Sequence, residues 1–174
     1  KSRPLFLNKG EPMERLNYTF NNEKTVKLPP PSVKAYYQIY HAVDESEVTE
    51  GLCDWLTSGG PQARAYIEPI DIIKARIALS TWLKELRTRE EYYPPHGEGD
   101  VPETRYNTVY HELKAVSEYT RDSFTTLEKM DVLTFWRLYR DAIIYNCNKS
   151  DEGREYLERA FANKQTKPHR AAIA

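Results

Sequence analysis

A chain of 174 residues with 25 Lys and Arg against 26 Asp and Glu carries a formal charge of -1, which provides no overall positive field to draw in a phosphate backbone. The length suits one domain able to bury a core without disulfide or metal support. No apolar run nears the ~20 residues of a membrane-spanning helix and no secretory h-region is evident, so 40% apolar with 29% charged residues reads as amphipathic helices with solvated outer faces.

Residues 1–31 hold Pro4, Pro12, Pro29, Pro30 and Pro31, which remove amide donors and block helix, so an extended arm is expected. The same segment carries Phe6, Leu7, Met13, Leu16, Tyr18 and Phe20, which is too apolar for a freely solvated tail. The arm therefore lies on something: its own helical domain, or a partner for which these six residues are the candidate contacts. The first residue is Lys, which fits a chain shortened from a longer precursor, by loss of an organelle presequence or of a tag.

A helical domain is expected over residues 32–164. Val33, Tyr36, Tyr37 and Tyr40 recur three and four apart after Ser32. Asp44, with Glu47 three positions on, opens a second helix carrying Val48, Leu52, Trp55 and Leu56, which Ser58-Gly59-Gly60-Pro61 ends. These two helices are expected to form an antiparallel hairpin. Pro69 at a tolerated first position opens a third helix to about Glu91, with Ile70, Ile73, Ile77, Trp82, Leu83 and Leu86 expected to point inward.

The segment Tyr92-Tyr93-Pro94-Pro95-His96-Gly97-Glu98-Gly99-Asp100-Val101-Pro102 breaks helix repeatedly. It reads as a surface excursion joining distant helix ends, or as a binding loop with Tyr92 and Tyr93 as contacts. A fourth helix follows over about 103–121, with Tyr106, Val109, Tyr110, Leu113, Val116 and Tyr119 on one face. Thr125 or Thr126 is placed to cap a short helical start. Asp131 precedes a helix that is apolar over most of its circumference, from Val132 to Tyr145, expected at the domain centre. Ser150 caps a last helix through Phe161, and residues 165–174 form an exposed tail. No strand-like alternation stands out, so the expectation is an all-α antiparallel array of about six helices.

Chemistry needs converging groups, and the sequence offers none locally. Glycine-rich phosphate loops and the His-Glu-x-x-His zinc helix are missing, and His41, His96, His111 and His169 show no metal spacing. Cys53 and Cys147 sit in apolar helical patterns as free thiols. Arg137 and Arg140, one turn apart on the most apolar helix, are read as internal partners of acids on neighbouring helices rather than as an anion site. No catalytic residue, cofactor, metal or small-molecule substrate is expected, and nucleic acid is a disfavoured partner. Thirteen tyrosines, large and rigid with a polar tip, favour a protein-binding role.

The segments Arg105-Tyr106-Asn107-Thr108-Val109-Tyr110 and Met130-Asp131-Val132-Leu133-Thr134-Phe135-Trp136 resemble degenerate pentatricopeptide-repeat helices. With the Pro-rich arm and Tyr-rich helices, the chain is similar to the eighteen-kilodalton accessory subunit of the euglenozoan mitochondrial F1-ATPase. That resemblance implies a non-catalytic subunit in the matrix, bound outside the F1 α-subunit and supporting its assembly or stability. Helix starts do not recur at a ~35-residue period, so no base-reading code is expected. Two other classes fit parts of the sequence, with a cytoplasmic location open to them. One is a helical RNA-binding protein using tyrosines for stacking and Lys164, Lys167, His169 and Arg170 for phosphate. The other is a phage tail-assembly chaperone, suggested by Asp151-Glu152-Gly153-Arg154-Glu155-Tyr156-Leu157.

Overall fold

The computed structural model describes residues 14–60, 62–92 and 110–166. Within them lie two strands, β1 (Leu16–Thr19) and β2 (Thr25–Leu28), and seven α-helices. These are α1 (Val33–His41), α2 (Glu45–Thr57), α3 (Pro69–Arg87), α4 (His111–Thr120), α5 (Phe124–Glu128), α6 (Val132–Cys147) and α7 (Asp151–Thr166). Two short 3-10 turns, Ala63–Tyr66 and Glu90–Tyr92, flank α3. The described residues are mostly helical with one small two-stranded sheet, which corrects the all-α expectation.

The sheet is an antiparallel hairpin in which Leu16 faces Leu28 and Tyr18 faces Val26. Alternation places Tyr18, Phe20 and Leu28 on the buried side while Asn17, Thr19 and Lys27 face solvent, as a half-buried strand pair requires. The hairpin turns without glycine: Glu23 takes a positive φ of 67°, while the Phe20 amide donates to the Lys24 carbonyl at 2.8 Å. From Glu14 to Pro31, then, the expected arm packs on its own helices.

Caps fix most helix starts. Ser32 accepts from the Ala35 amide, Asp44 from Ser46, and Asp131 from both Leu133 and Thr134, each filling donors that a first turn leaves unpaired. Ser150 accepts from the Gly153 amide at the start of α7. For α5 the cap is Ser123, not Thr125 or Thr126, because its hydroxyl accepts from the Thr126 amide. Ser32 and Asp131 also face each other in an isolated antiparallel bridge. Val33 donates to the Met130 carbonyl at 2.8 Å and Val132 to that of Pro31 at 2.9 Å, so α1 and α6 start side by side.

One continuous core runs from Tyr18 and Phe20 through α1, α2 and α3 to Phe135 and Trp136 of α6, while Leu157 and Ala160 of α7 are buried apart from it. α1 and α2 approach closely at Gly51, where a β-carbon would come within 2.9 Å of Gln38 Cβ. Gly59 likewise leaves room for Leu28, whose Cδ2 would meet a β-carbon at 2.8 Å. Trp55, fully buried, donates its indole N–H to the Pro29 carbonyl at 2.8 Å and so pins the proline segment to α2.

The third helix brings the largest correction to side-chain placement. Trp82, Leu83 and Leu86 face the core with Ala75 and Leu79, but Ile70, Ile73 and Ile77 face outward at 40%, 60% and 64% exposure. The helix is apolar on two opposite faces, and sequence periodicity cannot tell which of them turns inward. Tyr110, expected on the inner face of the fourth helix, is exposed as well, while Leu113 and Val116 are buried. Tyr106 and Val109 lie outside the described residues.

Candidate interaction surface

Among the described residues Asp71 is the buried charged side chain, and its bonds serve the fold. Asp71, fully buried at the start of α3, is the hub of the hairpin contact: its carboxylate accepts from the Asn21 amide at 2.8 Å and the Glu68 amide at 3.0 Å, and the Tyr18 hydroxyl donates to the Asp71 carbonyl at 2.9 Å. Glu68 and Asp71 form a capping box across the first turn, satisfying donors that would otherwise be orphaned. Burial and the Asp71 carboxylate push the Tyr18 hydroxyl up to about 12.

A second cluster surrounds Trp136. The Arg87 guanidinium lies 5.0 Å over its ring, pairs with Glu112 at 3.4 Å and donates to the Tyr36 hydroxyl at 3.4 Å. Tyr36 packs edge-on against Trp136 at 5.6 Å. On the other side Arg137 sits over Tyr92 at 5.1 Å, donates to its hydroxyl at 3.2 Å and pairs with Glu91 at 3.5 Å. Arg137 therefore pairs with an acid from another element, as expected, whereas Arg140 pairs with its own sequence neighbour Asp141. Stacking on aromatic faces is what a planar guanidinium favours.

Burial raises the hydroxyl pKa of Tyr36, Tyr37 and Tyr139, with Glu112 adding to the effect and Arg87 opposing it at Tyr36 and Tyr139. Each holds its proton more tightly folded than unfolded, so the stability linked to it is complete below the ordinary tyrosine range and is lost as pH rises through the folded value. The melting temperature should hold up to about pH 10 and fall progressively above it. A melting temperature that stays level well above that pH would contradict the buried placement of these hydroxyls.

Among the described residues no group of three His, Cys, Asp or Glu side chains is placed to hold a metal. Cys53 and Cys147 are half-buried free thiols whose pKa is raised by desolvation, the opposite of what a thiolate nucleophile needs. No helix of the described residues is long and apolar enough to cross a membrane.

Among the described residues Val43, Tyr110, Phe124, Tyr145 and Phe161 are exposed on separate elements, whereas three exposed isoleucines share the outer face of α3. Ile70, Ile73 and Ile77 form a stripe continued by Ser80 and Lys84, and partly exposed Tyr40 of α1 interacts with Ser80 beside it. Three isoleucines on one exposed helix face form a contiguous apolar strip rather than scattered surface residues. The contacts expected from sequence lie elsewhere. Tyr18, Phe20 and Tyr92 are 4%, 2% and 3% exposed and belong to the core, and Leu16 is half-buried against it. Phe6, Leu7, Met13 and Tyr93 lie outside the described residues, as do Lys167, His169 and Arg170 and the side chain of Lys164. The signal that could have marked α3 is its double apolar phase, with Ile70, Ile73 and Ile77 roughly opposite Ala75, Leu79 and Leu86. No family model, curated protein or solved structure matches the chain.

Proposed function

We propose that this chain is a non-catalytic accessory subunit of a larger protein assembly, attached through the outer face of α3. The observation that carries the reading is the two-sidedness of that helix. A helix apolar on two opposite faces has two stripes to bury, yet α3 is covered on one face only, with Ile73 and Ile77 more than half exposed. A partner's surface completes the burial. We read the helices as an antiparallel array of hairpins whose α1, α2 and hairpin support α3 from behind. The resemblance of the sequence to the euglenozoan F1-ATPase accessory subunit supplies the finer reading: attachment to the outside of the mitochondrial F1 α-subunit, in support of assembly or stability.

The test is native purification of the tagged chain from its source organism, beside an Ile73→Glu/Ile77→Glu variant. Wild type should migrate with a complex much larger than its own 20.4 kDa, and the variant should run free. Its helical circular dichroism should be unchanged, because exposed substitutions of this kind shift stability by only about 0.5 kcal/mol each. Mass spectrometry of the wild-type complex would then identify the partner, F1 α-subunit on the finer reading. A wild-type chain that runs alone would refute the accessory role.

A further inference from the structure

We propose that the outer face of α3 receives an acidic amphipathic helix of the partner. The inference rests on the docking role given to this face above and adds the chemistry of the occupant.

Spacing argues for a helix. Positions 70, 73, 77, 80 and 84 alternate steps of three and four, the seam into which side chains of a second helix interlock; an added strand would read a period of two. Three of the five positions are isoleucine, so the contact is apolar at the N-terminal end and becomes polar at Ser80 and Lys84.

Charge argues for the sign. Lys74 and Arg76 border the stripe on either side and Lys84 lies on it. Arg76 is met by Glu45 at 3.4 Å, but Lys74 contacts only the neutral side-chain oxygen of Asn21, at 3.2 Å. Among the described residues no carboxylate lies within ion-pair distance of Lys74 or Lys84, and Glu85 is the one acid that α3 contributes to the border. Carboxylates flanking the partner's apolar seam would meet these lysines, and complementary rims of this kind steer and select partners.

Charge also argues against a second copy. In an antiparallel two-fold pairing that sets Ile73 against Ile77, Lys74 would face Lys74 and Arg76 would face Arg76; a parallel pairing would put Lys84 against Lys84 on the seam itself. Like charges at such positions disfavour association.

The test uses the full chain and two stapled, fluorescein-labelled helical peptides that share one leucine seam, one flanked by Glu and the other by Lys, read by fluorescence anisotropy. The Glu peptide should bind at least about tenfold more tightly than the Lys peptide, and more weakly as salt rises. Ile73→Glu/Ile77→Glu should abolish binding, and Lys74→Glu/Lys84→Glu should reverse the preference. Equal binding of both peptides, binding of neither, or self-association that Ile73→Glu dissolves in sedimentation would overturn the proposal. These results are independent of the native purification: a chain lost from its complex by the isoleucine variant but blind to the Glu peptide would keep the accessory role and lose the acidic helix.

Discussion

Asp71→Ala is expected to lower the unfolding free energy by about 3 kcal/mol, one of the two largest effects of any single substitution considered. The carboxylate is fully buried and takes two backbone N–H groups, from Asn21 in the hairpin turn and from Glu68 before α3, with the Tyr18 hydroxyl alongside. Alanine removes the acceptor and leaves two half-buried donors without it. Stranded donors cost more than the lost bonds are worth to the extent that burial of the Asp71 side keeps water from replacing the partner. Asp71→Asn retains one oxygen acceptor and should recover roughly half of the loss. Urea denaturation at neutral pH measures both. If Asp71→Ala shifts stability by no more than an ordinary surface change, the carboxylate is not what ties the hairpin to α3.

The second large effect falls on the two buried tryptophans, and it separates packing from hydrogen bonding. Trp136→Ala should cost about 4 kcal/mol, since the ring is enclosed by Tyr36, Tyr92 and the Arg87 guanidinium. Trp136→Phe should cost much less, under about 1.5 kcal/mol, because the buried indole N–H of Trp136 has no hydrogen-bond acceptor among the described residues and its removal relieves an unpaired donor. Trp55→Phe removes a bond to the Pro29 carbonyl at 2.8 Å, so it should cost more than Trp136→Phe by about 1 to 2 kcal/mol. Equilibrium unfolding of the four proteins decides it. Equal costs for the two phenylalanine variants would mean that the bond to Pro29 contributes nothing.

Much of this fold can be read from sequence because helices advertise themselves through spacing and caps. Ser32, Asp44, Asp131 and Ser150 mark their helix starts as expected, and Ser58-Gly59-Gly60 ends α2. The hairpin is hidden for physical reasons. Its strands have four residues each, its turn lacks the glycine that usually announces one, and the neighbouring prolines dominate the reading of the segment. The alternation of Leu16, Tyr18 and Phe20, answered by Val26 and Leu28, is the signal that was there to use. The interaction surface is harder still. Apolar spacing identifies a helix but carries no information about which of two apolar sides meets its own core, and only the packing of Leu79 and Leu86 resolves the phase of α3. The role of Asp71 is invisible for a related reason, since an acid in a first turn usually faces solvent and favours the helix dipole.

The bridge between Ser32 and Asp131 bears on how the molecule folds and opens. It joins positions far apart along the chain, so α1 cannot complete its first turn against its native neighbour until the later third of the polypeptide has arrived. Contacts of high sequence separation carry a large loop-closure cost and form late. Early and late segments thus share one cooperative unit, and protease sites within α1 and α6 should become accessible together, at the free energy of global opening, while α7, buried apart from the main core, frays first.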